Sequence, residues 1–350
     1  MAGWTWTRSG GKQLFPSPSG FLNSASQAGL NLTLNLHLEP VDPANEDPAH
    51  YATFAKKLGF APSANLTIPS TQSAPYVGTV AEEITKSKEF ATAYLELLDE
   101  MGTNWWWLDD TPDWVARVLY DHSATRMEHG LTFARWAGLG SHRQPIGFSG
   151  DTYMEWSSLA FQPYFTATAS NVLFGFWSHD IGGHRSTICP STGAHGSHNE
   201  TCEFGHTASA YDPELYLRWL QWGAHAPILR THPQPDPMVE RRAWGYSLPW
   251  SEYMRDAFAR RARLVPALFT ANHDFESSAV AALRGLYYDF PSNEGAYRHK
   301  DSYLFVDGLL VAPMVSPMDN TTELATRALW LPPVRGPGLQ FGTPADVTAR

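Results

Sequence analysis

Cysteine is scarce in this sequence, and long apolar runs and basic clusters are missing from it. Only two of the 350 residues are cysteine, which excludes a dense disulfide framework. No stretch approaches the roughly 18 apolar residues that suggest a membrane span. Lysine and arginine total 25 against 35 acidic residues and form no run, so the net charge of −10 offers no footprint for nucleic acid or an anionic membrane. A neutral or cationic partner fits better.

The amino terminus lacks the basic start and apolar stretch of a secretory signal, so either the protein is cytoplasmic or its true beginning is absent. Two features favour a secretory or extracellular compartment instead. Cys189 and Cys202 lie in one Gly/Ser/His-rich segment, where a disulfide could close a short loop. Asn199 and Asn320 each begin an Asn-X-Thr glycosylation sequence. Localisation is left open between these alternatives.

Aromatic residues are abundant, with 14 tryptophans and 14 tyrosines. Flat aromatic faces cover the apolar faces of sugar rings, while the polar edges of Trp and Tyr still form hydrogen bonds. A core that simply uses tryptophan explains the composition equally well.

Short apolar runs alternate with longer stretches of helical periodicity along most of the chain. Six runs of strand length lie at residues 30–37, 105–109, 131–134, 145–148, 172–177 and 226–229. With no phosphate-binding glycine loop, this order predicts an α/β fold, a (β/α)₈ TIM barrel with about six strands present over residues 1–298. Short runs with Gly and Pro punctuation over 299–350 predict the beginning of a β-sandwich-type domain.

Three aspartates, Asp109, Asp151 and Asp180, each end one of these apolar runs. Reactive groups in a barrel come from the C-terminal ends of its strands, so these positions are better candidates than carboxylates on helix faces. Each aspartate taken alone reads equally well as a helix N-cap. Their occurrence together weakens that interpretation.

The segments around these aspartates resemble glycoside hydrolase family 31, which contains retaining α-glucosidases and α-xylosidases. The similar segments run through nearly the whole chain and include Trp106-Trp107-Leu108-Asp109, residues 133–152, Ser178-His179-Asp180-Ile181-Gly182-Gly183 and residues 214–232.

The resemblance implies that Asp109 is the nucleophile and Asp151 the general acid/base, with Arg135, Asp180 and His232 as ligands of sugar hydroxyls. A retaining enzyme needs two carboxyl groups, one ionised to attack the anomeric carbon and one protonated to give the leaving oxygen its proton. The second group then acts as the base for water.

Further candidate sugar contacts are Arg143 and the aromatic side chains Trp107 and Trp156. Trp106 and Trp177 could also line the pocket, but an aromatic residue within a strand is more often a core residue. We therefore expect one or two of the four tryptophans to contact sugar. Arg135 and Arg143 could instead be structural ion pairs.

The chain departs from the family pattern in two places. Asp110 follows the nucleophile directly, and alternation along the strand predicts that its side chain points away from that of Asp109. The segment after Asp180 carries residue types that can bind zinc, namely His184, Cys189, His195, His198, Cys202 and His206. Their spacing matches no tight Cys/His signature, so we predict no metal and no cofactor.

Family members also carry barrel strands and β domains beyond the region that this chain matches, which predicts a fragment or a partial gene model. The predicted function is hydrolysis of terminal α-linked sugars with retention of configuration, and the predicted partner is a carbohydrate substrate. We predict no nucleic-acid partner and no membrane span. An inactive fragment or carbohydrate-binding relative is the alternative. α-N-acetylgalactosaminides are an alternative substrate class.

Overall fold

The computed structural model describes most of the chain, and the described chain is divided into two compact units. The described residues are 4–9, 12–38, 40–66, 78–103, 105–109, 112–127, 130–135, 138, 140–144, 146–185, 212–234 and 239–333. The units are residues 1–147 and 148–350.

Parallel strands dominate the first unit. A short antiparallel pair comes first, followed by four strands in parallel register: β1 (Arg8–Ser9), β2 (Lys12–Gln13), β3 (Leu34–His37), β4 (Trp106–Asp109), β5 (Thr132–Ala134) and β6 (Ile146–Phe148). The boundary between the units falls inside β6.

The helices of the first unit are α1 (Pro18–Gln27), α2 (Pro48–Lys57), α3 (Val80–Lys86), α4 (Lys88–Glu100), α5 (Asp113–Ala124) and a 3-10 turn at Ser141–Arg143. The first four, α1 to α4, begin at side chains that cap their free N–H groups. Asp47 accepts hydrogen bonds from the first backbone N–H groups of α2. Thr79 and Glu82 form a reciprocal capping box on α3. These caps fix the residues at which the helices begin.

The second unit combines helices with a small antiparallel sheet. Its elements are α6 (Trp156–Ser170), β7 (Phe176–Ser178), α7 (Pro213–Gly223), α8 (Trp250–Ser278), β8 (Leu283–Gly285), α9 (Glu294–Arg298), β9 (Tyr303–Phe305), β10 (Leu309–Val311) and 3-10 turns at Ala243–Gly245 and Leu286–Tyr288. The antiparallel sheet has the order β10-β9-β8, and β7 follows β6 in the parallel sheet β3-β4-β5-β6-β7. Within the described ranges, no helix is both long and apolar enough to cross a membrane.

Each unit has its own aromatic core. In the first, Trp4 is completely buried, with ring centroids 4.9 Å from Phe54 and 5.2 Å from Tyr94. In the second, α7 is buried on nearly every side, including Trp219 and Trp222. Burying one large apolar side chain stabilises a fold by roughly 1.5–3 kcal/mol, so these clusters account for much of the stability of each unit.

The parallel α/β architecture is confirmed, but the predicted sixth strand at residues 226–229 is not a strand. What remains there is one isolated parallel bridge between Ile181 and Thr231. Pro227 has no N–H to donate to a strand ladder, and the carbonyl groups of Ala226 and Pro227 accept hydrogen bonds from the Arg261 side chain on α8 instead. Strand β8 precedes residue 299, and the predicted domain boundary at that residue stays a prediction.

Candidate active site

Strand β4 directs Trp107 and Asp109 to one face of its sheet. Burial alternates along this strand, because Trp106 and Leu108 are buried in the core of the first unit while Trp107 and Asp109 are only partly buried. Successive side chains of a strand point to opposite faces. The aspartate that ends β4 therefore shares its face with one tryptophan, Trp107.

Strand register brings two basic side chains to Asp109. His37 ends β3 and is the register partner of Asp109, and its Nε2 lies 3.6 Å from Oδ2 of the carboxylate. Phe133 pairs with Trp107, so Arg135, two residues later, reaches the same end of the sheet. The Nη1 of Arg135 donates to Oδ1 of Asp109 over 3.2 Å. Because the Asp109 side chain is only 14% exposed, this positive charge is weakly screened by solvent.

In the second unit, Asp180 is completely buried and bound to an arginine. Ser178 ends β7, and Asp180 follows two residues later on the same side of the backbone. Nη2 of Arg230 donates to Oδ1 of Asp180, while its Nε donates to Oγ of Ser178 over 3.3 Å. The guanidinium also lies 5.0 Å from the ring centre of Phe148. A buried carboxylate without a cationic partner would be strongly destabilising, so the Arg230 guanidinium compensates the buried charge of Asp180.

Asp151 follows β6 and is contacted by two consecutive basic residues. Nη2 of Arg185 donates to Oδ2 of Asp151 over 3.1 Å. Nε2 of His184 lies 3.8 Å from the same oxygen, and its Nδ1 lies 3.6 Å from Oδ2 of Asp180. The imidazole of His184 therefore lies between two carboxylates.

Asp151, Asp180 and His184 also form a set that could hold a metal ion, since each offers one donor atom within 4.8 Å of the others. The guanidinium groups of Arg185 and Arg230 already bond the two carboxylates, so a cation would have to displace them. The other zinc-type residues of this segment lie outside the described part of the chain, as does the predicted disulfide pair; they are Cys189, His195, His198, Cys202 and His206. The prediction that no metal is required stays a prediction.

His232 adds a neutral imidazole to this region. Its ring centroid lies 5.0 Å from that of His184. Burial, together with the nearby charges of Arg230 and His184, lowers the pKa of His232 to about 3. A neutral imidazole has one donor and one acceptor, which suits hydrogen bonding to sugar hydroxyl groups.

The remaining predicted residues are found in different surroundings. Arg143 is exposed in the 3-10 turn that precedes β6, and Trp156 begins α6 and packs against the core of the second unit. Trp177 packs against Phe165 and Phe174, which is a core position. Asp110 lies outside the described residues.

Four basic residues beside the aspartates were not predicted as part of the site: His37, His184, Arg185 and Arg230. Two of them had a signal in the sequence. His37 ends an alternating run one strand before Asp109, and Arg230 lies two residues before His232 in the same extended Arg-Thr-His segment. His184 closes the family-like segment that begins at Ser178 and is also a zinc-type residue, but neither feature predicts its contact with Asp151.

Residues 111–271 match the Glycosyl hydrolases family 31 TIM-barrel domain. Neutral alpha-glucosidase AB of Homo sapiens is 26% identical over 205 residues, which cover 56% of this chain and 19% of that protein. An alpha-xylosidase of Saccharolobus solfataricus is 24% identical over 253 residues, covering 71% of this chain and 32% of that one. The chain thus spans about a fifth to a third of the length of these relatives.

Solved structures share the fold. A GH31 alpha-xylosidase from a soil metagenome, complexed with xylose, has a TM-score of 0.64 at 18% identity and covers 90% of this chain and 50% of that one. A GH31 family sulfoquinovosidase from E. rectale in complex with an aza-sugar inhibitor has a TM-score of 0.65 at 16% identity, covering 89% and 48%. The parallel sheet and the antiparallel sheet described here are consistent with the fold of these structures. The family model, the alpha-glucosidase and alpha-xylosidase relatives and the GH31 structures together support a member of glycoside hydrolase family 31.

Proposed function

We propose that this chain carries the catalytic residues of a retaining α-glycoside hydrolase that removes terminal α-linked sugars by double displacement. In the first step the carboxylate of Asp109 attacks the anomeric carbon, and Asp151 gives its proton to the departing glycosidic oxygen. In the second step Asp151 removes a proton from water, which attacks the anomeric carbon and releases Asp109.

The observation that carries this proposal is the setting of Asp109. Its carboxylate ends a parallel strand, where barrel enzymes place reactive groups, and Arg135 donates to one of its oxygens at 3.2 Å. A nucleophile must present a carboxylate oxygen in a fixed direction. The Arg135 guanidinium and the His37 imidazole on the neighbouring strand support that requirement.

The setting of Asp151 supports its assignment as the acid/base. Its carboxyl group also follows a parallel strand, and it is mostly buried beside His184 and Arg185. The acid/base must exchange protons in both steps, so its carboxyl has to be held in position without being sealed by a single ion pair. The 3.8 Å separation from His184 and the exposed Arg185 side chain are compatible with this role.

Binding of the sugar is assigned to Arg135, Asp180 and His232, with Trp107, Trp156 and Arg143 as further contacts. The relatives named above include an alpha-glucosidase and alpha-xylosidases, and one solved neighbour binds xylose. We therefore propose α-glucosides or α-xylosides as substrates and keep α-N-acetylgalactosaminides as the alternative.

The test is turnover of aryl α-glucosides, α-xylosides and α-N-acetylgalactosaminides by the purified chain. We expect Asp109→Asn to lower kcat about 10⁴-fold or more and Asp151→Asn about 10²–10⁴-fold. Asp121→Asn, an exposed aspartate on α5, is the matched control and keeps the full rate. Proton NMR should show that the first sugar released has the α configuration.

Two results would reject this assignment. An active chain that kept its rate after Asp109→Asn would have a different nucleophile. A chain that bound these sugars but hydrolysed none would be the carbohydrate-binding relative instead.

A further inference from the structure

Arg241 holds the turn that follows the buried Asp180. Its Nη2 donates to the carbonyl oxygens of both Gly182 and Gly183, at 2.8 and 2.9 Å. These two bonds from one nitrogen close the outer side of the turn.

The turn that Arg241 holds has a conformation reserved for glycine. Gly182 and Gly183 have φ of +97° and +84°. A Cβ on Gly183 would lie 2.7 Å from Cα of Met154, so the backbone is packed as tightly as it can be. The N–H of Gly183 donates to the Asp180 carbonyl over 2.8 Å, which closes the turn from inside.

The two residues that leave this turn are those that contact Asp151. The N–H groups of His184 and Arg185 both donate to the carbonyl of Thr152, at 2.7 and 3.0 Å. Thr152 is the neighbour of Asp151 in the chain. The position of the turn therefore sets the positions of the His184 imidazole and the Arg185 guanidinium relative to the Asp151 carboxyl.

Arg241 is itself fixed by two tyrosines. Its guanidinium lies 4.9 Å from the ring centre of Tyr216 on α7, and the hydroxyl of Tyr216 donates to the Arg241 carbonyl over 2.6 Å. Tyr216 stacks on Tyr246 with ring centroids 5.4 Å apart, and the hydroxyl of Tyr246 donates to the Glu240 carbonyl over 2.8 Å. The clamp is thus anchored to the buried helix α7.

We propose that Arg241 is a positioning residue for the acid/base: by clamping the Gly182–Gly183 turn it fixes His184 and Arg185 on Asp151. The inference rests on the proposed function, because it assigns Asp151 that role. The Arg241 side chain donates to the backbone carbonyls of Glu240, Gly182 and Gly183, so we infer that it acts through the turn rather than on the sugar.

The kinetic test uses leaving groups, because loss of acid catalysis slows departure of a poor leaving group more than that of a good one. For Arg241→Met we expect kcat/KM to fall about 10- to 100-fold on a 4-methoxyphenyl α-glycoside but less than about threefold on the 2,4-dinitrophenyl α-glycoside. Arg241→Lys keeps the charge but loses the planar donor geometry and should behave like the methionine variant.

The matched control is Arg242→Met. Arg242 is the next residue in the chain and its exposed side chain bonds only Glu240 among the contacts described. In the Arg242→Met variant, kcat/KM should depend on the leaving group as it does in the wild-type chain. Equal losses on both substrates in Arg241→Met, or wild-type behaviour of Arg241→Lys, would overturn the proposal.

A second measurement separates the clamp from the reaction. Amide hydrogen exchange of a peptide covering residues 182–185 should accelerate about tenfold or more in Arg241→Met, and stay unchanged in Arg242→Met. Unchanged exchange in Arg241→Met refutes the clamp whether or not the chain is active. If the wild-type chain hydrolyses no glycoside, the proposed function fails while the exchange result still decides whether Arg241 holds the turn.

Discussion

The two units hold their aspartates in different ways. The Asp109 group, defined as His37, Asp109 and Arg135, is built on three neighbouring parallel strands, whose register alone brings the side chains together. The Asp151 group, defined as Asp151, Asp180, His184, Arg185 and Arg230, is built on a glycine turn and on bonds between distant side chains. Register is set by the whole sheet, whereas the turn depends on a few specific contacts. We therefore expect the Asp109 group to tolerate the loss of a partner better than the Asp151 group.

The same substitution in each group gives the largest expected contrast. Arg230→Met leaves the completely buried Asp180 without its guanidinium partner, so the free energy of unfolding should fall by about 3–5 kcal/mol. Arg135→Met leaves Asp109 less completely buried than Asp180 and still beside His37, so the loss should be smaller, about 1–2 kcal/mol. Urea denaturation followed by circular dichroism measures both. Equal losses would remove the distinction between the groups.

Glycine positions give the next contrast. Gly183→Ala places a Cβ 2.7 Å from Cα of Met154 at a positive φ, which should cost about 2–3 kcal/mol. Gly140→Ala has the same backbone strain, with φ of +94°, but open space around the new methyl group. It should cost about 1 kcal/mol. A thermal melt of the two variants compares them directly, and a Gly140 variant as unstable as the Gly183 variant would show that strain alone matters.

The pH dependence of stability should come mainly from the second unit. Burial lowers the pKa of His179, His225 and His232 below that of a free histidine. As the pH falls below about 6.5, the unfolded chain binds protons that the folded chain does not, so stability decreases with falling pH. The denaturation midpoint should therefore be lower at pH 5 than at pH 7.

One variant assigns part of this effect to His232, which lies beside the Asp151 group. His232→Gln should reduce the difference between the two midpoints, while the exposed His273→Gln should leave it unchanged. A difference that is unaffected by His232→Gln would mean that this histidine is protonated to the same extent in both states.

The smallest effect is expected for His37→Gln. The His37 side chain is 48% exposed and its Nε2 lies 3.6 Å from Asp109, an arrangement that contributes about 0–1 kcal/mol. We expect kcat/KM for the aryl glycoside to fall less than about fivefold. A loss as large as that of Asp109→Asn would instead make His37 an essential partner of the nucleophile.

Local patterns in the sequence predicted the parallel sheet and the aspartates that follow its strands. Apolar runs mark β3 to β7 because buried parallel strands need continuous apolar residues. The sixth predicted strand failed for a reason that no local window contains, since Arg261 on α8 bonds the carbonyl groups that a ladder would have used. Proline at position 227 was the one local warning.

The contacts of the Asp109 group could be derived from register, but those of the Asp151 group could not. Pairing β3 with β4 and aligning their ends is enough to bring His37 to Asp109. The approach of His184 to Asp151 depends on positive φ values at Gly182 and Gly183 and on an arginine about 60 residues later. Such an arrangement arises only in the folded chain. In the sequence, only the Gly182–Gly183 pair indicated a tight turn at this place.

Helix α7 has a consequence for the mutational tolerance of the chain. Nine of its 11 residues are buried, and these include the ion pair of Glu214 and Arg218. Glu214 also accepts a hydrogen bond from the backbone N–H of Met318. The 29-residue helix α8 has only three buried residues. In a saturation library, functional variants should be nearly absent along α7 and common along α8. A designer who wishes to alter residues around Asp151 without losing the fold should therefore leave α7 untouched.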